Sequence, residues 1–236
     1  MPEQTIPERV ESFIRDEALI EPDGDVTVLV SGGADSTCLC HVLRGLGYRV
    51  SALHVNHGLR GDDSESDARF CAELLGAEVV DGTGGKTEDD LRRIRYGFAT
   101  DRLRATGHTL SDQVETIVYR LVTSGVAKGI KAKREDGVVR PLLSVWADET
   151  RAYCAENDLP FREDRSNPDT VRGLIRNEVL PLLRRIHPAA DENLLRALDE
   201  RETLSPALAE LLSSTVGSKR VDLGGGRHAV REYERL

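Results

Sequence analysis

Residues 26 to 46 read "VTVLVSGGADSTCLCHVLRGL", and the break at Ser31-Gly32-Gly33 limits the folds open to the chain. Val28, Leu29 and Val30 are bulky or β-branched, as suits a buried parallel strand, whereas Leu39, Val42 and Leu43 return at helical spacing. The stretch reads as strand, tight turn, helix. Further strand-like runs at 49–55 ("RVSALHV") and 77–80 ("AEVV") are separated by helical patterns at 35–46 and 63–76. A helical pattern over 87–104, a short strand before Thr106 and a helix through Val114, Ile117, Val118 and Leu121 follow. This succession predicts an α/β fold, an open parallel sheet with helices on both faces. Helices near 147–157 and 171–186, helical pattern from 189 and a small hairpin turning on Gly224 to Gly226 are expected beyond it. Residues 1–188 are therefore expected as one domain and 189–236 as a short, mainly helical extension.

With 236 residues, 39% of them hydrophobic, the chain can bury a sizeable core. No apolar stretch approaches the roughly 20 residues needed to cross a bilayer. The N-terminal sequence is acidic and amphipathic, unlike a signal sequence, so a cytoplasmic protein with no membrane partner is expected. Cys38, Cys40, Cys71 and Cys154 form no CxxC pair, which favours buried reduced thiols over a disulfide framework or a zinc or iron–sulfur site. A net charge of -9 argues against nonspecific coating of nucleic acid. Local basic faces remain: Lys128, Lys131 and Lys133 in "KGIKAKR", and Arg172, Arg176, Arg184 and Arg185 in the helical pattern that follows. Phosphate contacts are one use of such clusters; a solvated loop and an ordinary surface helix are the other readings.

The turn after the first strand has a chemistry of its own. In an open α/β sheet, ligands bind at the carboxyl ends of the strands, where a starting helix offers free N–H groups and a positive dipole end. Ser31, Gly32 and Gly33 let the backbone approach a phosphate closely, and Ser36 adds a hydroxyl. No lysine completes a GxxxxGK[ST] loop and no GxGxxG is present. Asp35, an acid beside a phosphate position, is useful mainly where Mg²⁺ bridges the two.

"SGGADS" resembles the SGGxDS loop of the PP-loop ATPases, which cleave ATP between the α and β phosphates and adenylate a substrate. "HVNHGLRGDDSESD" (54–67), "EDDLRRIRY" (88–96), "TGHTLSDQVET" (106–116), "RPLL" (140–143), "EDRSN" (163–167) and "RGLIRNEVLPLL" (172–183) resemble, in order, the bacterial tRNA(Ile)-lysidine synthetases. The resemblance implies an enzyme that binds ATP and Mg²⁺, adenylates carbon-2 of the wobble cytidine of a CAU-anticodon tRNA(Ile), and lets free L-lysine displace AMP. It implies Ser31, Gly32, Gly33, Ala34, Asp35, Ser36, His57 and Arg92 as the ATP site, and Asp35 and Asp112 as Mg²⁺ ligands. Asp35, Asp112 and Glu115 become the catalytic set, with Glu115 receiving the lysine ammonium group. The basic residues at 128–133 and 172–185 become the tRNA face, and a homodimer is among the assemblies it allows.

Each stretch also has a plainer reading. Glu88, Arg92 and Arg95 form a charge stripe on a helix, and Asp112 and Glu115 at the start of another suit a helix cap as well as chemistry. The chain departs from the family pattern at Ser111, where an acid is usual, at "TSGV" (123–126) and at Arg172-Gly173. Another PP-loop nucleotide transferase, or a non-catalytic RNA-binding module on the same fold, are the alternative functions. A thiolase of this fold usually needs paired cysteines, and none are present.

Overall fold

The computed structural model describes residues 4–163, 170–202, 219–224 and 227–231. The "EDRSN" stretch beyond Glu163, the helical pattern over 203–218 and the hairpin tip at 225–226 lie outside the described residues. Helix α1 (Ile6–Asp16) precedes the alternation β1 (Asp25–Leu29), α2 (Ala34–Gly45), β2 (Arg49–Asn56), α3 (Asp62–Leu75), β3 (Ala77–Asp81), α4 (Glu88–Gly97), β4 (Arg104–Thr106), α5 (Leu110–Ser124) and β5 (Val138–Val139). The five strands form one sheet in the order β3-β2-β1-β4-β5, each neighbouring pair parallel. Successive strands step outward from β1 to β3, then the chain crosses back to β4 on the other side of β1. The crevice between the carboxyl ends of β1 and β4 is the switch point at which such sheets take ligands.

Alternation along the strands divides the sheet into two faces. Val26, Val28, Val30, Ala52, Ala77, Ala105 and Val139 join Leu39, Val42, Leu43 of α2 and Val10, Ile14 of α1 in the main core. Leu29, Leu53 and Val55 point the other way and share a cavity of about 190 Å³ with Arg95 of α4. Helices thus lie on both faces, as the sequence pattern predicts.

Helix α4 corrects one expectation. The pattern over 87–104 suggested one long helix, but the structure stops it at Gly97, with Ala99 in the left-handed region at φ 51°. The fully buried Arg104 supplies the reason: its guanidinium donates to the carbonyls of Tyr96 (2.6 Å) and Phe98 (3.3 Å), so the final turn is satisfied by a side chain rather than by more helix.

After the 3₁₀ turn Pro141–Ser144 come α6 (Ala147–Glu156), α7 (Val171–Leu174), a π-helical turn Ile175–Val179 and α8 (Leu180–Ile186). Helical backbone angles at Leu174, Ile175, Val179 and Leu180 make the last three continuous. Pro181 has no N–H to donate and its ring crowds the carbonyl four residues back; the wider turn just before it relieves both. Helix α9 (Ala190–Glu202) sets Leu194 and Leu195 against Val114 and Val118 of α5 and Ile175 and Leu180. Strands β6 (Lys219–Gly224) and β7 (Arg227–Arg231) form an antiparallel pair. Among the described residues no helix is long and apolar enough to cross a membrane.

Candidate active site

The turn after β1 is shaped by two glycines with different duties. Gly32 adopts φ +83°, and a Cβ there would also sit 3.2 Å from Cys71 Sγ and the Phe70 ring. Gly33 is the N-cap of α2 and provides no side-chain cap, so the first-turn N–H groups of α2 receive no acceptor from their own N-cap residue. The two serines tie the turn together: Ser31 N–H donates to Ser36 Oγ (3.2 Å), whose hydroxyl donates to Gly33 O (3.1 Å). Ala34 and Ser36 are buried in the helix start, and Asp35 is half-buried between them.

Gly107, directly after β4, faces this turn. A Cβ on Gly107 would lie 3.0 Å from the carbonyl carbon of Asp35 and from Ser36 N, so only glycine lets the β4 loop rest on the start of α2. The next residues open α5 with a capping box in which Asp112 Oδ2 accepts from Thr109 N–H (2.8 Å) and from Thr109 Oγ1 (3.0 Å). Ser111 Oγ accepts the N–H of Ala147 at 3.2 Å, linking α5 to the start of α6. The cap reading of "LSDQVET" is therefore correct for Asp112, and the same box fixes its carboxylate at the crevice.

Charge is concentrated here. Burial raises the Asp35 pKa from 3.8 to about 6; the Thr150 hydroxyl, which hydrogen-bonds Asp35 Oδ1, opposes the rise, and the nearby Asp112 adds to it. Thr150 is fully buried on α6. Burial also lowers His108 to about 4, with Arg140, Arg92 and Arg172 pressing the same way against Asp112; its Nδ1 lies 2.8 Å from Thr106 Oγ1. Glu115, 2% exposed, has its pKa raised by burial and opposed by Arg176, whose Nε lies 2.5 Å from Oε1.

The predicted site residues thus divide. Ser31, Gly32, Gly33, Ala34, Asp35 and Ser36 form one turn, and Asp112 stands close enough to Asp35 to shift its titration. His57 lines the cavity beside β1 and β2 with Ser31, His54 and Asn56; its Nδ1 faces Gly82 O at 2.9 Å, and its buried Nε2 has no partner among the described residues. Arg92 sits on the β4 side near His108, 3.5 Å from Glu88, to which Arg172 also reaches at 3.4 Å. The charge stripe therefore bridges to α7. Of the basic candidates, Lys133 donates to Ala18 O (2.7 Å), Arg184 pairs with Asp191 (2.7 Å) and Arg176 with Glu115. Lys128, Lys131 and Arg185 are exposed.

Thr150 and Gly107 escape a sequence reading for different reasons. Thr150 belongs to no motif and acts from a distant helix. Gly107 lies inside "TGHTLSDQVET", and its closeness to Asp35 depends on the pairing of β4 with β1. All four cysteines are free and buried, and burial raises each thiol's pKa. Among the described residues no three His, Cys, Asp or Glu side chains converge as a complete metal site.

The PP-loop domain family matches residues 2–183. The tRNA(Ile)-lysidine synthase of Solibacter usitatus is 38% identical to the chain, over 84% of this chain and 46% of that protein. The protein of the same name from Dehalococcoides mccartyi is 33% identical, over 80% of this chain and 48% of that one. The chain spans about half the length of these curated relatives. Among solved structures it is similar in fold to the U34-tRNA thiolase NcsA from Methanococcus maripaludis, solved with its iron–sulfur cluster, with a TM-score of 0.59 and 17% identity over 81% of this chain and 79% of that one.

Proposed function

The chain belongs to the PP-loop domain family, and from that premise we propose that it uses ATP to join free L-lysine to carbon-2 of the wobble cytidine in a CAU-anticodon tRNA(Ile). The C2 oxygen of the cytidine attacks the α-phosphorus of ATP and pyrophosphate leaves. The ε-amine of lysine then adds at C2, loses its proton, and expels AMP, leaving lysidine. Adenylation converts a poor oxygen leaving group into a good one, so the protein's work is positioning and charge neutralisation. The setting is the cytoplasm, where the tRNA is found.

One observation carries the reading: the uncapped start of α2 and the carboxylates of Asp35 and Asp112 meet at one crevice. The N–H groups of that first turn would hold the phosphates, with Ser31 and Ser36 shaping the loop beneath them. The cavity beside it, with His57 and Asn56 in its wall, would take the base and sugar. The named relatives supply the choice of reaction.

The two aspartates suit Mg²⁺ by their donor chemistry. Both offer hard carboxylate oxygens, and burial, with Asp112 adding to it, already raises Asp35. Since no third acid joins them among the described residues, phosphate and water would complete the coordination. When bound, Mg²⁺ would neutralise charge developing on the transferring phosphate. Asp112, held by its own capping box, would receive the proton of the attacking amine on the oxygen the box leaves free. Glu115 is assigned the lysine ammonium group; the guanidinium of Arg176 seated on it marks the carboxylate as a cation position. Lys128, Lys131 and Arg185 are the tRNA contacts most open to phosphate, since Lys133 and Arg184 already have partners.

Incubation of the chain with labelled ATP, tRNA and lysine tests the reading. AMP and pyrophosphate are the expected products, with AMP release requiring tRNA and lysine; ADP as the main product would contradict it.

A further inference from the structure

The sequence motif at 54–67 extends well beyond the histidines, and its last residue has a partner the function above does not use. Asp67 lies on α3 with its side chain 17% exposed. One of its oxygens accepts from the Arg60 guanidinium at 2.7 Å, and the other lies 3.2 Å from Arg162 Nε as an ion contact without hydrogen-bond geometry. Among the described residues neither arginine pairs with another acid.

The two arginines come from segments far apart in the sequence. Arg60 belongs to the loop after β2 and lines the cavity with Ser31, Ser64 and Asp67; its backbone N–H donates to Ser64 Oγ at 3.0 Å. Arg162 belongs to the segment after α6, which crosses the phosphate turn: its backbone N–H donates to Gly32 O at 2.8 Å. The Arg162 guanidinium also hydrogen-bonds Ser66 and lies 5.5 Å from the centroid of the Phe70 ring. That ring is the surface a Cβ on Gly32 would strike. A continuous chain of contacts therefore runs from Gly32 through Arg162 and Asp67 to Arg60.

We infer that Asp67 is a positioning residue of the nucleotide site, joining the loop after β2 to the segment that fixes the phosphate turn. The inference rests on ATP binding at Ser31–Ser36. Two guanidinium groups sharing one carboxylate hold each other's loops at a set distance; without the carboxylate they repel, and the Arg162 backbone loses the anchor that keeps it over Gly32. The pairing leaves one net positive charge beside the phosphate turn, so anion binding and loop position depend on the same residue.

The test uses the full chain in five forms: wild type, Asp67→Asn, Asp67→Glu, Arg162→Gln and the Asp67→Asn/Arg162→Gln double variant. Binding of a fluorescent ATP analogue with Mg²⁺ should weaken about tenfold in Asp67→Asn, while kcat for AMP formation stays within about threefold. The double variant should bind no worse than the weaker single one, because both substitutions break the same link. Asp67→Glu should recover most of the affinity. Unchanged affinity in Asp67→Asn, or losses that simply add, would overturn the inference. Hydrogen exchange without nucleotide separates it from the ATP reading: protection of the Arg162 amide should fall about tenfold in Asp67→Asn. If the wild type binds no ATP, the functional reading fails, and the exchange result alone decides the link; unchanged protection there refutes it.

Discussion

Two helices begin side by side at the carboxyl ends of adjacent parallel strands, α2 after β1 and α5 after β4, and they begin in opposite ways. The start of α5 is tied down: the Asp112 carboxylate reaches back to the Thr109 N–H and hydroxyl, and the Leu110 N–H donates to Val145 O at 2.9 Å. The start of α2 is open: its N-cap is Gly33, extended at φ -74° and ψ 166°, with no side chain to accept the first-turn N–H groups. Helix starts are usually capped, and an uncapped one at the carboxyl end of a parallel sheet suits an anion, which is the reading proposed for α2. The start of α5 holds an acid still, while that of α2 has no side chain from its own N-cap.

The sharpest way to break this comparison is to make α2 resemble α5. Gly33→Asp is sterically allowed, since a Cβ at Gly33 meets Ser31 Oγ at an ordinary 3.5 Å. Its carboxylate would cap α2 and put negative charge where phosphate belongs. ATP binding should fall by about a thousandfold, while stability rises by about a few tenths of a kcal/mol. Calorimetric titration and thermal melting read both, and unimpaired ATP binding would mean that the open start is not the phosphate site.

The second substitution separates the two duties of Asp112. Asp112→Asn keeps an oxygen that accepts from Thr109 but removes the charge; Asp112→Ala removes both. Lysidine formation should drop about a hundredfold in each, and only Asp112→Ala should also lose about 1 kcal/mol of stability in denaturant melts. Full activity in Asp112→Asn would leave Asp112 a cap and nothing more.

Asp35 makes a contrast in pH. Its carboxyl keeps its proton to about pH 6 in the folded chain but loses it near its ordinary 3.8 when unfolded. Between those values the folded state binds more protons, so this residue's contribution falls as pH rises and is fully lost above about pH 6. Asp35→Asn removes that penalty: at pH 8 it should be more stable than wild type by at most about 3 kcal/mol, the gap closing below about pH 4, while lysidine formation falls about a hundredfold. A stability gap that does not change with pH would place the cause elsewhere.

Ser111→Ala should have the smallest effect. It removes the acceptor for the Ala147 N–H, a loss of about 1 kcal/mol in stability, and should lower activity less than about tenfold. A loss as large as that of Asp112→Ala would give Ser111 the part assigned to its neighbour.

The contrast between the two helix starts was half legible in the residues. Ser31-Gly32-Gly33 between an apolar strand and a helical pattern announces an open turn, because glycine provides neither cap nor side-chain bulk. "TGHTLSDQVET" gives a cap and a pair of acids without saying which duty Asp112 performs; the box at Thr109 decides the local geometry. Other features depend on contacts between elements distant in sequence. Helix α4 stops early because Arg104, on a strand further along, takes its last carbonyls. Thr150 reaches Asp35 across 115 positions, and Arg162 reaches Asp67 across 95. Local periodicity carries no information about such pairs, whereas it does fix strand and helix identity where each element buries its own stripe.

The most direct measurement of the central claim is mass analysis of tRNA(Ile) nucleosides after incubation of the chain with ATP, Mg²⁺ and isotopically labelled lysine. The account predicts a cytidine-derived nucleoside carrying the lysine label, absent without ATP and nearly absent with Gly33→Asp. Consumption of ATP with no labelled nucleoside, or labelling that survives Gly33→Asp undiminished, would contradict it.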